Sequence, residues 1–241
     1  MFFSSLKETT TIFTTAGQLI PTHITFDNYA NGWKGFAGIT FGVFLKNSLF
    51  IAIVATFGTL MSSAFVAYSF SRCKKFKLRG ILFAAMLASM MLPGQILMVP
   101  QYLWYKKLGW VGSYLPLIVP FFFAVQGYFV DLDEAAKIDG CSYYSIFFRI
   151  IFPLMRPALV TGGIFSFMWR WDDFMSALLY INKAAQYPVS LALKLFADPG
   201  STSDYGAMFA MAVVSLIPIL IIFFIFQKQL VEGIATSGLK G

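Results

Sequence analysis

The chain has 241 residues, of which 58% are hydrophobic, 18% aromatic and only 12% charged, and its mean hydropathy is +0.72. Those figures exclude an ordinary soluble domain and point to a membrane protein. Lys and Arg exceed Asp and Glu by 18 to 11, a surplus that would also suit nucleic acid, so the placement of the basic residues has to decide.

Residues 1–40 are polar with scattered aromatics, and no basic n-region followed by an apolar h-region opens the chain. Uncharged runs long enough to cross a bilayer follow at 47–70, 80–105, 108–130 and 205–227. A further run, 157–181, is apolar but carries Arg170, Asp172 and Asp173, and it brings the visible crossings to five. The linker 71–79, SRCKKFKLR, holds five basic residues in nine positions and is therefore cytoplasmic. Alternation puts 131–156 and the C-terminal tail on the same side. It places 1–40, with Lys7 and Lys34, and 182–204, with Lys183 and Lys194, outside, together with Lys106 and Lys107. Basic residues that cluster between spans follow membrane topology and not nucleic acid. An external N-terminus without an export signal predicts a further span before Met1. Pro93 with Gly94, Pro116 with Pro120, and Pro218 interrupt their runs, as ordinary kinks or as the lining of a cavity.

Two cysteines, Cys73 and Cys141, and one histidine, His23, give neither a paired-ligand metal spacing nor a disulfide framework. No glycine-rich phosphate loop occurs, so any ATP belongs to a partner.

The cytoplasmic stretch 133–157, DEAAKIDGCSYYSIFFRIIFPLMRP, cannot turn all its apolar side chains to lipid. Glu134, Ala135, Ala136 and Lys137 favour helix, and Gly140 permits close approach of another backbone. Tyr143, Tyr144, Ile146, Phe147, Ile150 and Ile151 recur at three- and four-residue spacing, which predicts an exposed aromatic face suited to a groove in a soluble partner. Pro153 and Pro157 end the stretch and set the entry into the next span. The plainer alternative is an interfacial helix lying on the headgroups, against which the acids Asp133, Glu134 and Asp139 weigh.

Three charges inside 157–181 cost about 8 to 10 kcal/mol on the insertion scale, against about 3 to 5 kcal/mol returned by its large aliphatic and phenylalanine residues. That span cannot face lipid all round. At 100° per residue Trp169, Asp172, Asp173, Ser176 and Tyr180 share one side, and Arg170 reaches Asp173. One reading is a local ion pair that pins helix packing; the other is the polar wall of a substrate path. A catalytic aspartate dyad is excluded, because neighbours on a helix point about 100° apart.

The order Glu134-Ala135-Ala136, Gly140, Ile150, Pro153 resembles the EAA signature of bacterial ABC importer permeases. Asp139 beside Gly140, Phe152-Pro153-Leu154, Met91-Leu92-Pro93-Gly94-Gln95, Trp171-Asp172-Asp173-Phe174, Val231-Glu232-Gly233 and the closing Gly238-Leu239-Lys240-Gly241 look like its sugar-importing branch, the smaller permease of maltose-type systems above all. The chain departs from that pattern at Phe152, at Cys141, and in the short link of Asp131, Leu132 and Asp133 before the acidic motif.

The resemblance implies an all-α polytopic transmembrane bundle of the type I importer kind, in the inner membrane. Its parts would be an extracytoplasmic segment 1–40, a transmembrane domain 41–241, a cytoplasmic coupling loop 131–157 and an extracytoplasmic loop 182–204. Docking to an ATPase dimer would fall to Glu134, Ala135, Ala136, Asp139, Gly140, Tyr143, Ile150 and Pro153. The path of a sugar would be bordered by Trp169, Trp171, Asp172, Asp173 and Ser176. The further partners implied are a second permease, a solute-binding protein, which the 182–204 loop would approach, and membrane lipid. ATP and Mg would be bound by the ATPase and no cofactor by this chain, which would not itself be an enzyme. The alternative is a stand-alone secondary transporter or channel using Arg170, Asp172 and Asp173 as an ion relay.

Overall fold

The computed structural model describes residues 1–15, 17, 18, 20, 21, 23–72, 76–124, 147–197 and 204–238. In chain order the helices are α1 (Phe2–Ser5), α2 (Asp27–Lys34), α3 (Phe41–Arg72), α4 (Arg79–Met91), α5 (Gly94–Lys107) and α6 (Leu115–Ile118), which runs into a 3-10 turn (Val119–Phe122). A π-helical stretch (Phe147–Ile151), α7 (Phe152–Leu154), α8 (Arg156–Trp171) and α9 (Phe174–Tyr180) follow. A 3-10 turn (Ala184–Gln186), α10 (Val189–Phe196) and α11 (Tyr205–Gly238) complete the order. Among the described residues the regular structure is helical apart from one β-bridge between Phe36 and Ile39.

Phe41–Phe70 and Tyr205–Gln229 are long and apolar enough to cross a membrane unbroken. At 1.5 Å per residue, α3 and α11 reach about 48 and 51 Å, beyond the roughly 30 Å hydrocarbon layer. Pro218 lies inside α11 without ending it. The crossing expected at 80–105, interrupted at Pro93 and Gly94, is two helices, α4 and α5, meeting at 100°. Leu92 leaves the helix at ψ 125°, because a residue before proline is driven to extended backbone, and Pro93 offers no N–H to continue the ladder. That bend is far sharper than the kink proline ordinarily leaves. The expected span 157–181 enters as one arm of a second bent pair, Phe147–Leu154 with Arg156–Trp171, at 69°. Of the expected span 108–130, Leu115–Phe122 is helical and residues 125–130 lie outside the described set.

The chain divides into two compact units. The first comprises Met1–Ala52, Val111–Tyr114 and Met168–Phe224; the second comprises Ile53–Trp110, Leu115–Phe167 and Ile225–Gly241. The first holds the described parts of the segments expected outside the membrane, 1–40 and 182–204. Lys106 and Lys107, also expected outside, fall in the second.

The first unit has a core of Phe41, Phe44, Val189, Ala192, Phe196, Ala207, Ala210 and Met211. Three rings knit it: Phe41 meets Phe44 edge-on at 6.1 Å and Phe196 at 6.4 Å. The N-terminal segment is folded by its own polar groups. Asn28 donates to the carbonyls of Ser5 at 2.8 Å and Lys7 at 2.7 Å, and the buried Lys7 ammonium donates to those of Thr15 at 2.6 Å and Gln18 at 2.7 Å. Gly206, in the first turn of α11, lies so close to Asn28 and Thr9 that a Cβ there would overlap the Asn28 Oδ1.

In the second unit Ala64, Phe147, Met155 and Leu159 form the core. Phe147 stacks on Phe65 at 4.6 Å and is 1% exposed. The exposed aromatic face expected to include Phe147 is therefore corrected at that position: its ring is taken up by α3, while Phe148 stays exposed. Gly58 accommodates the Phe122 ring, where a Cβ would come within 2.6 Å of a ring carbon.

Candidate transport and coupling sites

The charged stretch does not continue as one helix. α8 ends at Trp171, and Asp173, at φ −71° and ψ 82°, is the N-cap of α9, its carboxylate accepting from the Ser176 N–H at 3.1 Å. The first N–H groups of any helix lack internal partners, and aspartate satisfies them well while competing poorly inside a helix. Two adjacent aspartates therefore break the run. The single face through Trp169, Asp172, Asp173, Ser176 and Tyr180 assumed an unbroken helix and is corrected accordingly.

Around the break the expected residues take different positions. Arg170 and Asp173 do pair, Nη1 to Oδ2 at 3.8 Å, with about a fifth of each side chain exposed. Trp169 is 49% exposed and Asp172 is exposed, whereas Trp171 is buried at 3% and Tyr180 at 4%. The Asp172 carbonyl accepts from the Phe174 N–H at 2.7 Å, tightening the turn. The Ser190 hydroxyl donates to the Asp173 carbonyl at 3.4 Å, and the Lys194 ammonium sits 5.3 Å from the centre of the Phe174 ring.

The far end of α9 is tied as firmly. The Tyr180 carbonyl accepts from the Gly112 N–H at 2.8 Å. Gly112 has φ +89°, and a Cβ there would lie 3.1 Å from the Asn182 side-chain oxygen, so the position suits glycine alone. What results is a two-turn helix held at both ends, beside an exposed indole and an exposed carboxylate. Such a pair can stack on the apolar face of a ring and accept hydrogen bonds from hydroxyl groups.

Of the expected docking residues, Glu134, Ala135, Ala136, Asp139, Gly140 and Tyr143 lie outside the described residues. Ile150 falls in the π-helical stretch, and Pro153, exposed, in α7. Pro157 lies in the first turn of α8, so the two prolines flank Met155, where the chain turns by 69°.

Gly112, Ser190 and Lys194 were not singled out by sequence. The signal for Gly112 is a Gly-Ser pair inside the apolar run 108–130; Ser190 and Lys194 carry none, since each acts only through contacts made across the fold.

The family described as the binding-protein-dependent transport system inner membrane component matches residues 63–236. This chain belongs to that family. The permease is 32% identical to the probable ABC transporter permease protein YurM of Bacillus subtilis (strain 168), a match covering 100% of this chain and 82% of that protein. It is 34% identical to the trehalose/maltose transport system permease protein MalG of Thermococcus litoralis, over 83% of this chain and 76% of that one. In the crystal structure of a bacterial ABC transporter involved in the import of the acidic polysaccharide alginate, one chain superposes with a TM-score of 0.77 at 21% identity, covering 94% of this chain and 87% of that chain. At that identity the last likeness speaks to the fold. The permease is thus an inner-membrane component of an ABC transport system.

Proposed function

We propose that the chain is the permease subunit of an ATP-driven importer that moves a di- or oligosaccharide into the cytoplasm by alternating access. The observation that carries this reading is the interrupted α8–α9 stretch, with Trp169 and Asp172 exposed at the break, in a chain similar to a trehalose/maltose permease. Trp169 offers an apolar plane for a sugar ring, and Asp172 accepts hydroxyl hydrogen bonds. Asp173, Ser176 and the buried Trp171 hold the break in shape. The 133–157 segment docks on a separate ATPase, through Glu134, Ala135, Ala136, Asp139, Gly140, Tyr143, Ile150 and Pro153. A second permease and a solute-binding protein complete the assembly, and ATP with Mg is held by the ATPase.

A pull-down of the membrane complex tests this reading. An ATPase co-purifies with the wild-type chain and is lost in E134A/G140W, while membrane insertion of the variant is unchanged. Trehalose or maltose uptake by the single purified chain in liposomes, with no ATPase present, would refute the proposal.

A further inference from the structure

Four residues of α3, Phe41, Phe44, Ser48 and Ala52, recur at three- and four-residue spacing and are all buried, Ser48 at 2% exposure. A hydroxyl in such a stripe needs a partner. It finds one in the backbone of another segment: the Val189 N–H donates to the Ser48 Oγ at 2.8 Å. Val189 opens α10, whose N-cap is Pro188, a residue with no side-chain acceptor to offer. Ser48 therefore supplies from a distance the cap that Pro188 cannot.

The preceding turn is held by the next residue of α3. The Asn47 amide donates to the carbonyls of Ala185 at 2.9 Å and Tyr187 at 3.1 Å. Beyond these three hydrogen bonds, Val189, Ala192 and Phe196 pack into the core with Phe41 and Phe44. The 184–197 segment is thus a short helix riding on α3, where a connector between spans would ordinarily be loose.

We infer that Asn47 and Ser48 are positioning residues that fix this extracytoplasmic segment to α3, so that a loaded solute-binding protein contacting the segment acts on α3 directly. The inference rests on the importer reading above, and it adds the route by which an outside event enters the membrane helices. It assigns a role to the Asn-Ser pair at the mouth of the first apolar run.

The test uses the assembled transporter in nanodiscs, with its binding protein loaded with trehalose or maltose. Amide exchange of peptides covering 184–197 rises about tenfold in S48A and N47D and stays at the wild-type rate in S48T, which keeps the acceptor. Stimulation of ATP hydrolysis by the loaded binding protein falls at least about fivefold in S48A and N47D and is retained in S48T, while unstimulated hydrolysis is unchanged. Wild-type exchange in the S48A/N47D variant overturns the inference, as does faster exchange with full stimulation. A wild-type complex that the binding protein fails to stimulate overturns the importer reading and this inference with it.

Discussion

Replacing Asp173 separates the two tasks its carboxylate performs. Asp173→Ala removes both the cap on the Ser176 N–H and the partner facing Arg170, whereas Asp173→Asn keeps a side-chain oxygen for the cap and loses only the charge. The cap contributes about 1 kcal/mol, within a range of 0.5 to 2. The ion pair, at 3.8 Å with 21% and 23% of the side chains exposed, adds no more than about 1 kcal/mol. The Ala variant should therefore lose about 2 kcal/mol and the Asn variant about half of that. For a chain of this size each kcal/mol moves the unfolding midpoint by about 2 to 4 °C, giving drops of about 4 to 8 °C and 2 to 4 °C. The assay is thermal unfolding in detergent at one fixed scan rate, because membrane proteins often unfold irreversibly. Equal losses in the two variants would refute the cap as a separate contribution, and no loss in Ala would refute both.

Asp172→Asn should leave that midpoint within about 1 °C, since the side chain is exposed, while lowering sugar uptake by the assembled transporter about tenfold through a weaker acceptor. Uptake of labelled trehalose or maltose in proteoliposomes measures it. Gly206→Ala should destabilise the chain by about 1 to 3 kcal/mol by driving a methyl into Asn28, and when it is combined with Asn28→Ala, which by itself loses the bonds to Ser5 and Lys7, the joint loss should be less than the sum of the separate losses. Unfolding midpoints of the single and double variants check it.

The long helices were legible because α3 and α11 carry apolar runs that no other structure could hide. The break between α4 and α5 is half legible: Pro93-Gly94 marks the place, but the sequence carries no measure of the 100° angle. The Asp172-Asp173 pair reads in sequence as the middle of a span, because apolar residues on both sides suggest continuity. The local signal of an aspartate three residues before Ser176 was a cap. The Arg170 to Asp173 contact was found because it needs only a three-residue spacing, which the end of α8 preserves. Phe147 differs from its sequence expectation because periodicity gives a face but not which neighbour claims it. The helix Val189–Phe196 is hidden in sequence within the 182–204 loop, since eight residues between a proline and a polar tract give little pattern until α3 supplies the cap.

The helix Phe174–Tyr180 is seven residues long, too short to persist in water on its own preferences. Its shape is imposed from its ends, by Asp173 at one and Gly112 at the other. Met175 and Leu178 point away from the buried Ala177 and Tyr180, so they are free of both architectural duties. Exchange of those two side chains during descent therefore leaves the frame intact, and variation along this helix is expected to collect there.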